Sequence, residues 1–140
     1  MALRRQGLAF AVVSAVMLAA GLVAMRPTQW DAFRLIGLAL ALLGLVLLTI
    51  ARVQLGRSFS VTPQARALVT TGLYAKIRHP VYVFGAISVA GLLMYVGRPR
   101  LLWILSVLVP LQVIRIRAES RILEEAFGEE YRTWKRQTWF

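Results

Sequence analysis

The chain has 140 residues, which is the length of one domain; 59% of them are apolar and only 16% are charged. A soluble globular domain is about 45–50% apolar, glycine included, and about 25% charged. The composition therefore excludes a soluble globular enzyme and a disordered tail. The absence of cysteine excludes a disulfide scaffold and thiolate-based metal sites, and His79 is the only histidine, so we expect no bound metal.

The formal net charge of +11 is compatible with two kinds of partner, a nucleic acid or a membrane. Lys and Arg flank apolar runs, as the positive-inside rule and attraction to anionic lipid require. A basic stripe with interleaved aromatic residues, which would indicate nucleic-acid binding, is missing from the sequence. The charge therefore favours contact with a lipid bilayer and no nucleic-acid partner.

Apolar runs are candidates for membrane-spanning helices, which need about 20 residues within a range of about 17–25. Three runs reach this length, at residues 8–25, 32–51 and 81–97, and a fourth, at residues 101–114, is also a candidate. The first is longer than the apolar region of about 7–15 residues in a secretory signal peptide, so we expect a retained helix. The fourth is short and contains Pro110, which predicts a kinked, tilted or partly interfacial segment.

The architecture follows from the need to satisfy backbone polar groups inside a bilayer. We predict an all-α integral membrane helical bundle of about four transmembrane helices, forming a single domain over residues 1–140. With both termini in the cytoplasm, thirteen Lys and Arg residues fall in inside segments and four in outside turns. This bias predicts cytoplasmic termini, and the Ala, Leu and Arg content points to a bacterial inner membrane. No obligate protein partner is evident.

The first polar stretch, residues 52–80, ends directly against the third apolar run. Pro80 suits the first turn of that helix, because no amide donor is lost there. His79 would then stand at the helix N-terminus, with Tyr82 just inside. A helix N-terminus attracts anions, and Arg78 adds to this attraction. The alternative is that Arg78 and His79 are interfacial anchors and Tyr82 belongs to an aromatic belt.

The second polar stretch, residues 115–140, predicts a C-terminal amphipathic cytoplasmic helix. Its apolar residues recur at helical spacing and share one face: Leu123, Phe127, Tyr131 and Trp134. Gly128 lies within this pattern and should weaken or kink the helix.

Glu119 and Arg115 lie four residues apart on the same side of this helix, just beyond the fourth apolar run. A carboxylate beside an arginine at that depth is more often functional than one farther along. The alternative is a helix on the membrane surface with solvated charges and ordinary ion pairs.

Three blocks, in this order, resemble the isoprenylcysteine carboxyl methyltransferase family, which is related to the phospholipid N-methyltransferases. They are LGRSFS from Leu55, LVTTGLYAKIRHPVY from Leu68, and an R-x-x-x-E pattern at Arg115 that is followed by FGEEYRTWKR. The resemblance covers residues 55–136. It implies an integral membrane enzyme that uses S-adenosylmethionine.

The resemblance also implies two cofactor-binding segments, residues 55–82 and 115–136. The matching cofactor positions are Leu68, Val69, Tyr74, His79, Pro80, Val81, Tyr82 and Glu119. We also expect Arg78, together with the backbone at the helix start, to hold the carboxylate of the cofactor. Arg115 stands where family members contact the substrate, and no catalytic residue is assigned. The chain departs from the family pattern at Ser120, often Glu, and at Phe84, often Gly.

Methyl transfer from a sulfonium chiefly needs positioning and the exclusion of water. A carboxylate acceptor is ionised at pH 7, whereas a primary amine must lose a proton, and His79 and Glu119 are the available bases. Both of these residues are assigned to the cofactor. We therefore expect a lipid-like acceptor at the cytoplasmic membrane interface, which is the carboxylate of a prenylcysteine-like molecule or a related small lipid. The alternatives are a phospholipid amine N-methyltransferase, an NADPH-dependent membrane reductase of the sterol reductase type, and a non-enzymatic helical membrane subunit.

Overall fold

The structure is a computed structural model that describes residues 13, 16–17, 19–25, 27–55 and 68–139. Only part of the first predicted span, residues 8–25, is among these; residues 19–24 are helical. The carbonyl of Leu22 there accepts a hydrogen bond of 2.9 Å from the Tyr95 hydroxyl. The LGRSFS block after Leu55 lies outside the described residues.

Three long helices occur in the described part of the chain: α1 (Ala32–Leu55), α2 (Pro80–Val96) and α3 (Trp103–Gln137). Short 3-10 helices precede two of them, Gly72–Ala75 before α2 and Pro99–Leu102 before α3. No strand occurs in the described part of the chain, where an isolated parallel bridge joins Ile77 and Trp139. The all-helical prediction is confirmed.

Among the described residues, two helices are long and apolar enough to cross a membrane: α1 and the helix that runs from Arg100 to Gln137. With 17 residues, α2 is shorter. Large apolar side chains such as Leu43, Val46, Trp103 and Val107 are exposed on α1 and α3. The structure thus supports two candidate spans, and the count of four stays a prediction.

The closest helix packing joins α1 and α2 through small residues. Gly37 lies against Gly91, and Gly44 lies against Ser88, so the two helices run antiparallel. The hydroxyl of Ser88 donates a hydrogen bond of 3.2 Å to the Ala41 carbonyl. Small residues allow two backbones to approach closely, which is how helices associate where lipid removes the hydrophobic driving force.

Helix α3 runs without a break from the fourth apolar run into the predicted amphipathic segment. Pro110 lies inside it, and non-helical backbone angles occur at Gly128, with φ 50° and ψ −119°. The predicted weakness at Gly128 is confirmed. The predicted C-terminal helix is therefore the continuation of α3, bent at Gly128, and not a separate element.

The segment after this bend, residues 129–139, is called the C-terminal hook below. Its Tyr131 and Trp134 are buried with Tyr74 and Ala51, and Leu123 and Phe127 pack against them, so the predicted apolar face is confirmed. The Trp134 indole donates a 2.8 Å hydrogen bond to the Tyr74 carbonyl.

Backbone hydrogen bonds tie the end of the hook to the segment that leads into α2. The Trp139 amide donates to the Lys76 carbonyl at 2.6 Å, and the Arg78 amide donates to the Trp139 carbonyl at 3.2 Å. The hook thereby fixes the backbone directly before His79.

Candidate functional site

His79 is the N-cap residue of α2, and Pro80 is the first helical residue, as predicted. The amides of Tyr82 and Val83 both donate to the His79 carbonyl at 3.1 Å. The imidazole is only 6% exposed, and its Nε2 lies 3.2 Å from the Ser120 hydroxyl of α3. His79 therefore joins the start of α2 to the polar half of α3.

Burial and the neighbouring Arg78 guanidinium lower the pKa of His79 to about 4. The imidazole is therefore neutral at pH 7 and offers one N–H donor and one acceptor nitrogen. It cannot form an ion pair with an anion. Because its pKa lies far below neutral pH, it is also a weak proton acceptor.

Tyr82, Arg115 and Glu119 form a second group, called the Glu119 cluster below. The Tyr82 hydroxyl lies close enough to the Glu119 carboxylate and the Arg115 guanidinium to interact with both, and Arg115 also attracts Glu119. Burial raises the pKa of Glu119, while the Tyr82 hydrogen bond and the Arg115 charge oppose that rise. The cluster holds a largely buried carboxylate just past the apolar half of α3.

Tyr74 extends this cluster toward α1. Its hydroxyl donates a 3.4 Å hydrogen bond to the Ala51 carbonyl. Burial, followed by the nearby Glu119 charge, raises the pKa of Tyr74, and Arg52 opposes the shift. The phenol is therefore neutral at any physiological pH.

The remaining predicted cofactor positions are apolar and contribute packing. Leu68, Val69 and Val81 pack against the buried cluster that contains Tyr74, and Pro80 is fully buried. They form an apolar wall beside the polar groups.

A groove of about 690 Å³ lies between α3 and the C-terminal hook. It is called the basic groove, after its charged lining residues: Arg78, Arg117, Arg121, Glu124, Glu125, Arg132 and Lys135. Helical residues advance by about 100° each, so Glu124 points about 140° away from Glu119 around α3. None of Tyr74, Tyr82, Arg115 and Glu119 lines the groove, but His79 and Ser120 do.

The structure brings four of the predicted residues close to one another: Tyr74, Tyr82, Arg115 and Glu119. It does not bring Arg78 to them. Arg78 lines the basic groove, and its Nε is buried without a hydrogen-bond partner. His79 contacts Ser120, and both residues line the basic groove. The cofactor and substrate roles of all these residues stay predictions.

Ser120 is the residue that the sequence reasoning missed as a contributor. It entered only as a departure from the family pattern, yet its hydroxyl contacts the His79 ring at 3.2 Å. Its position directly after Glu119 was the available signal. In the described part of the chain, no group of three or more side chains could hold a metal ion.

The described residues include two apolar helices of spanning length, as in a membrane-associated protein. A largely buried carboxylate lies where one of these helices becomes polar, and it marks a candidate ligand site. A family model described as phospholipid methyltransferase matches residues 33–130. The chain belongs to this family, which includes the membrane methyltransferases that resemble isoprenylcysteine carboxyl methyltransferase. No curated protein matches the chain.

The match covers α1, α2 and α3 up to Glu130, so it includes the whole Glu119 cluster and most of the basic groove. Membership implies a methyltransferase that acts on a lipid-like substrate. It also agrees with the two candidate membrane helices.

Proposed function

We propose that this protein transfers a methyl group from S-adenosylmethionine to a lipid-like acceptor, at the Glu119 cluster. Family membership supports the reaction class. The observation that carries the site is the Glu119 carboxylate, which is largely buried and interacts with Tyr82 and Arg115. A carboxylate is costly to bury unless it binds a partner, so its position favours a cationic or hydroxyl-rich ligand.

The residues fit the chemistry of this cofactor, which supplies an already activated methyl group. Its amine and ribose hydroxyls need an acceptor, and Glu119 is one. The neutral His79 places no positive charge next to a cationic ligand. The wall formed by Leu68, Val69 and Val81 suits an aromatic base.

The protein's contribution to such a transfer is to position two reactants and to exclude water. Glu119 would hold the donor, and Arg115, on the same cluster, would orient an acceptor carboxylate through paired hydrogen bonds. His79 is a weak base because of its low pKa. This favours an acceptor that is already ionised, such as the carboxylate of a prenylcysteine-like molecule, over a phospholipid amine.

Cofactor binding is tested by calorimetry on the purified protein in nanodiscs, with Glu119→Gln as the test variant. Glu125→Gln is the matched control, because Glu125 is exposed and pairs with Arg121 on the other side of α3. A hydrogen bond to a charged group contributes roughly 1.5–3 kcal/mol, so Glu119→Gln should weaken binding roughly tenfold to a hundredfold.

Equal affinity in the two variants would contradict the proposed site. Binding of NADPH in place of S-adenosylmethionine would support the reductase alternative. A folded protein that binds neither molecule would support a non-enzymatic subunit.

The acceptor class is tested by offering a farnesylated cysteine derivative and phosphatidylethanolamine to the same preparation. We expect methylation of the carboxylate, and a KM for that acceptor about tenfold higher in Arg115→Gln, at unchanged cofactor affinity. Methylation of the amine lipid alone would instead establish the phospholipid alternative.

We also propose an integral membrane protein with both termini in the cytoplasm of a bacterial cell. The chain has no cysteine, so single cysteines can be placed freely. An impermeant maleimide should label Gln29→Cys in intact cells and Thr133→Cys only after permeabilisation. The opposite pattern would reverse the proposed orientation.

A further inference from the structure

The basic groove carries more positive than negative charge. Glu124 pairs with Arg132 at 2.9 Å, and Glu125 pairs with Arg121 at 3.0 Å. Arg78 and Arg117 have no ion-pair partner among residues 68–139, while Lys135 attracts Glu124 without forming a close ion pair with it. The groove is therefore a site for a negatively charged ligand.

The charge of the groove argues against the methyl donor as its occupant. S-adenosylmethionine carries a sulfonium and an ammonium against one carboxylate, so its net charge is positive. The excess of guanidinium and ammonium groups over carboxylates in the groove repels such a molecule and attracts a phosphate, to which Arg can bind through two hydrogen bonds.

The groove lies close to the apolar half of α3, which favours a lipid headgroup as the source of a bound phosphate. Arg117 follows the end of the apolar run at Ile114 by three residues, or about 4.5 Å along the helix. Toward the apolar half of α3, the helical stripe that contains Arg117 continues through exposed side chains, Trp103, Pro110 and Val113. A lipid with its phosphate in the groove would lay an acyl chain along this stripe.

We propose that the basic groove binds the headgroup phosphate of an anionic phospholipid, at a site separate from the Glu119 cluster. The phosphate contacts Arg117 of α3 and Lys135 of the C-terminal hook. Because these residues lie on opposite sides of the bend at Gly128, the bound lipid holds the hook against α3. The phosphate site uses neither Glu119 nor Arg115, while His79, which the proposed function puts beside the cofactor, also lines the groove.

The test uses the full chain in a neutral detergent at low salt, titrated with phosphatidylglycerol, phosphatidylcholine or inorganic phosphate. Native mass spectrometry counts retained lipid, and circular dichroism follows the thermal midpoint. The test variant is Arg117→Gln with Lys135→Gln. The matched control, Arg98→Gln with Arg100→Gln, removes the same charge from exposed positions between α2 and α3.

We expect phosphatidylglycerol to be retained and to raise the midpoint by several degrees, while phosphatidylcholine does so at least about tenfold more weakly. The test variant should lose this binding and its salt dependence, and the control variant should keep both. Arg117→Lys, which preserves the charge, should keep part of it.

Three results would overturn the inference. One is equal retention of both lipids, and another is equal retention of phosphatidylglycerol by the test and control variants. The third is a midpoint rise with inorganic phosphate equal to that with the lipid, which would indicate a simple ion site.

A cross-check separates the two proposals. Glu119→Gln should bind phosphatidylglycerol normally, and the groove variant should bind S-adenosylmethionine normally. Loss of cofactor binding in the groove variant would mean that both ligands share one site, which contradicts the groove assignment and leaves the methyltransferase proposal intact.

Discussion

The α1–α2 pair and the C-terminal hook are two helix contacts of the same protein with opposite construction. Between α1 and α2 the contact residues are small, with Gly91 lying against the backbone of Ala41 and Gly37. In the hook the contact residues are large and aromatic, with Tyr131 and Trp134 buried against Tyr74.

The difference is the one expected if lipid surrounds the α1–α2 pair and water surrounds the hook, as in the proposed membrane placement. Where lipid surrounds two helices, burying large apolar side chains brings no gain over lipid, and close backbone approach is what stabilises the pair. Where water surrounds them, burying aromatic rings is the main driving force. Substitutions in the two contacts should therefore act through different mechanisms.

The largest expected effect is that of Trp134→Ala. This change removes a buried indole and the 2.8 Å hydrogen bond to the Tyr74 carbonyl, so we expect a loss of about 3–5 kcal/mol in the free energy of unfolding. Denaturant unfolding followed by near-UV circular dichroism measures it. Trp139→Ala serves as the control, because that side chain is 74% exposed, and its cost should stay below about 1 kcal/mol. Similar losses in both variants would mean that the hook is not held by aromatic burial.

The next effect is a pH dependence at His79, where α2 meets the hook. The folded-state pKa of about 4 lies below the ordinary value of 6.5, so the unfolded chain takes up the proton first. Stability is therefore complete above about pH 6.5 and falls as the pH drops toward about 4, by up to about 3 kcal/mol.

Unfolding of the wild type and of His79→Gln is compared at several pH values in this window. The variant should lose the part of the slope that the wild type owes to this imidazole. Identical slopes would show that His79 titrates normally in the folded protein.

A smaller effect is expected for Gly91→Ala. A Cβ atom there would lie less than 3 Å from backbone atoms of α1, which cannot move as a flexible side chain does. The overpacking should cost about 1–3 kcal/mol in a detergent-based unfolding assay. Gly85→Ala is the matched control, since a Cβ at Gly85 meets nothing within 4 Å. Alanine has a higher helix propensity than glycine, so Gly85→Ala should be neutral or stabilising, and an equal loss in both variants would mean that the close contact does not explain the effect.

The sequence allows the two contacts to be predicted to different extents. The apolar face that ends in the hook can be predicted from a spacing of three to four residues. Pro80 indicates a helix start and Gly128 a bend, because of their local backbone chemistry. The pairing of Gly37 with Gly91 depends on which helices meet in space, and isolated small residues do not specify a partner.

The candidate site shows the same division. The proximity of Arg115 and Glu119 follows from helical spacing alone. The resemblance to a family predicts that Tyr82 belongs to the same site, and the structure places Tyr82 near both residues. The placement of Arg78 in the basic groove, apart from Glu119, depends on how the hook folds back after Gly128. Periodicity along one helix does not predict the direction in which the chain turns after the bend.

The smallest effect is expected for Ser88→Ala, which tests what holds α1 to α2. The Ser88 hydroxyl donates to the Ala41 carbonyl at 3.2 Å. Hydrogen bonds between membrane helices contribute about 0.6 kcal/mol on average, and alanine keeps the Cβ and has a higher helix propensity. The net loss should therefore stay below about 0.5 kcal/mol in the same detergent assay. Ser88→Val, which adds bulk against Gly44, should instead cost about 1–3 kcal/mol. The reverse order, with Ser88→Ala the more harmful change, would mean that the hydrogen bond and not the close backbone approach holds the two helices together.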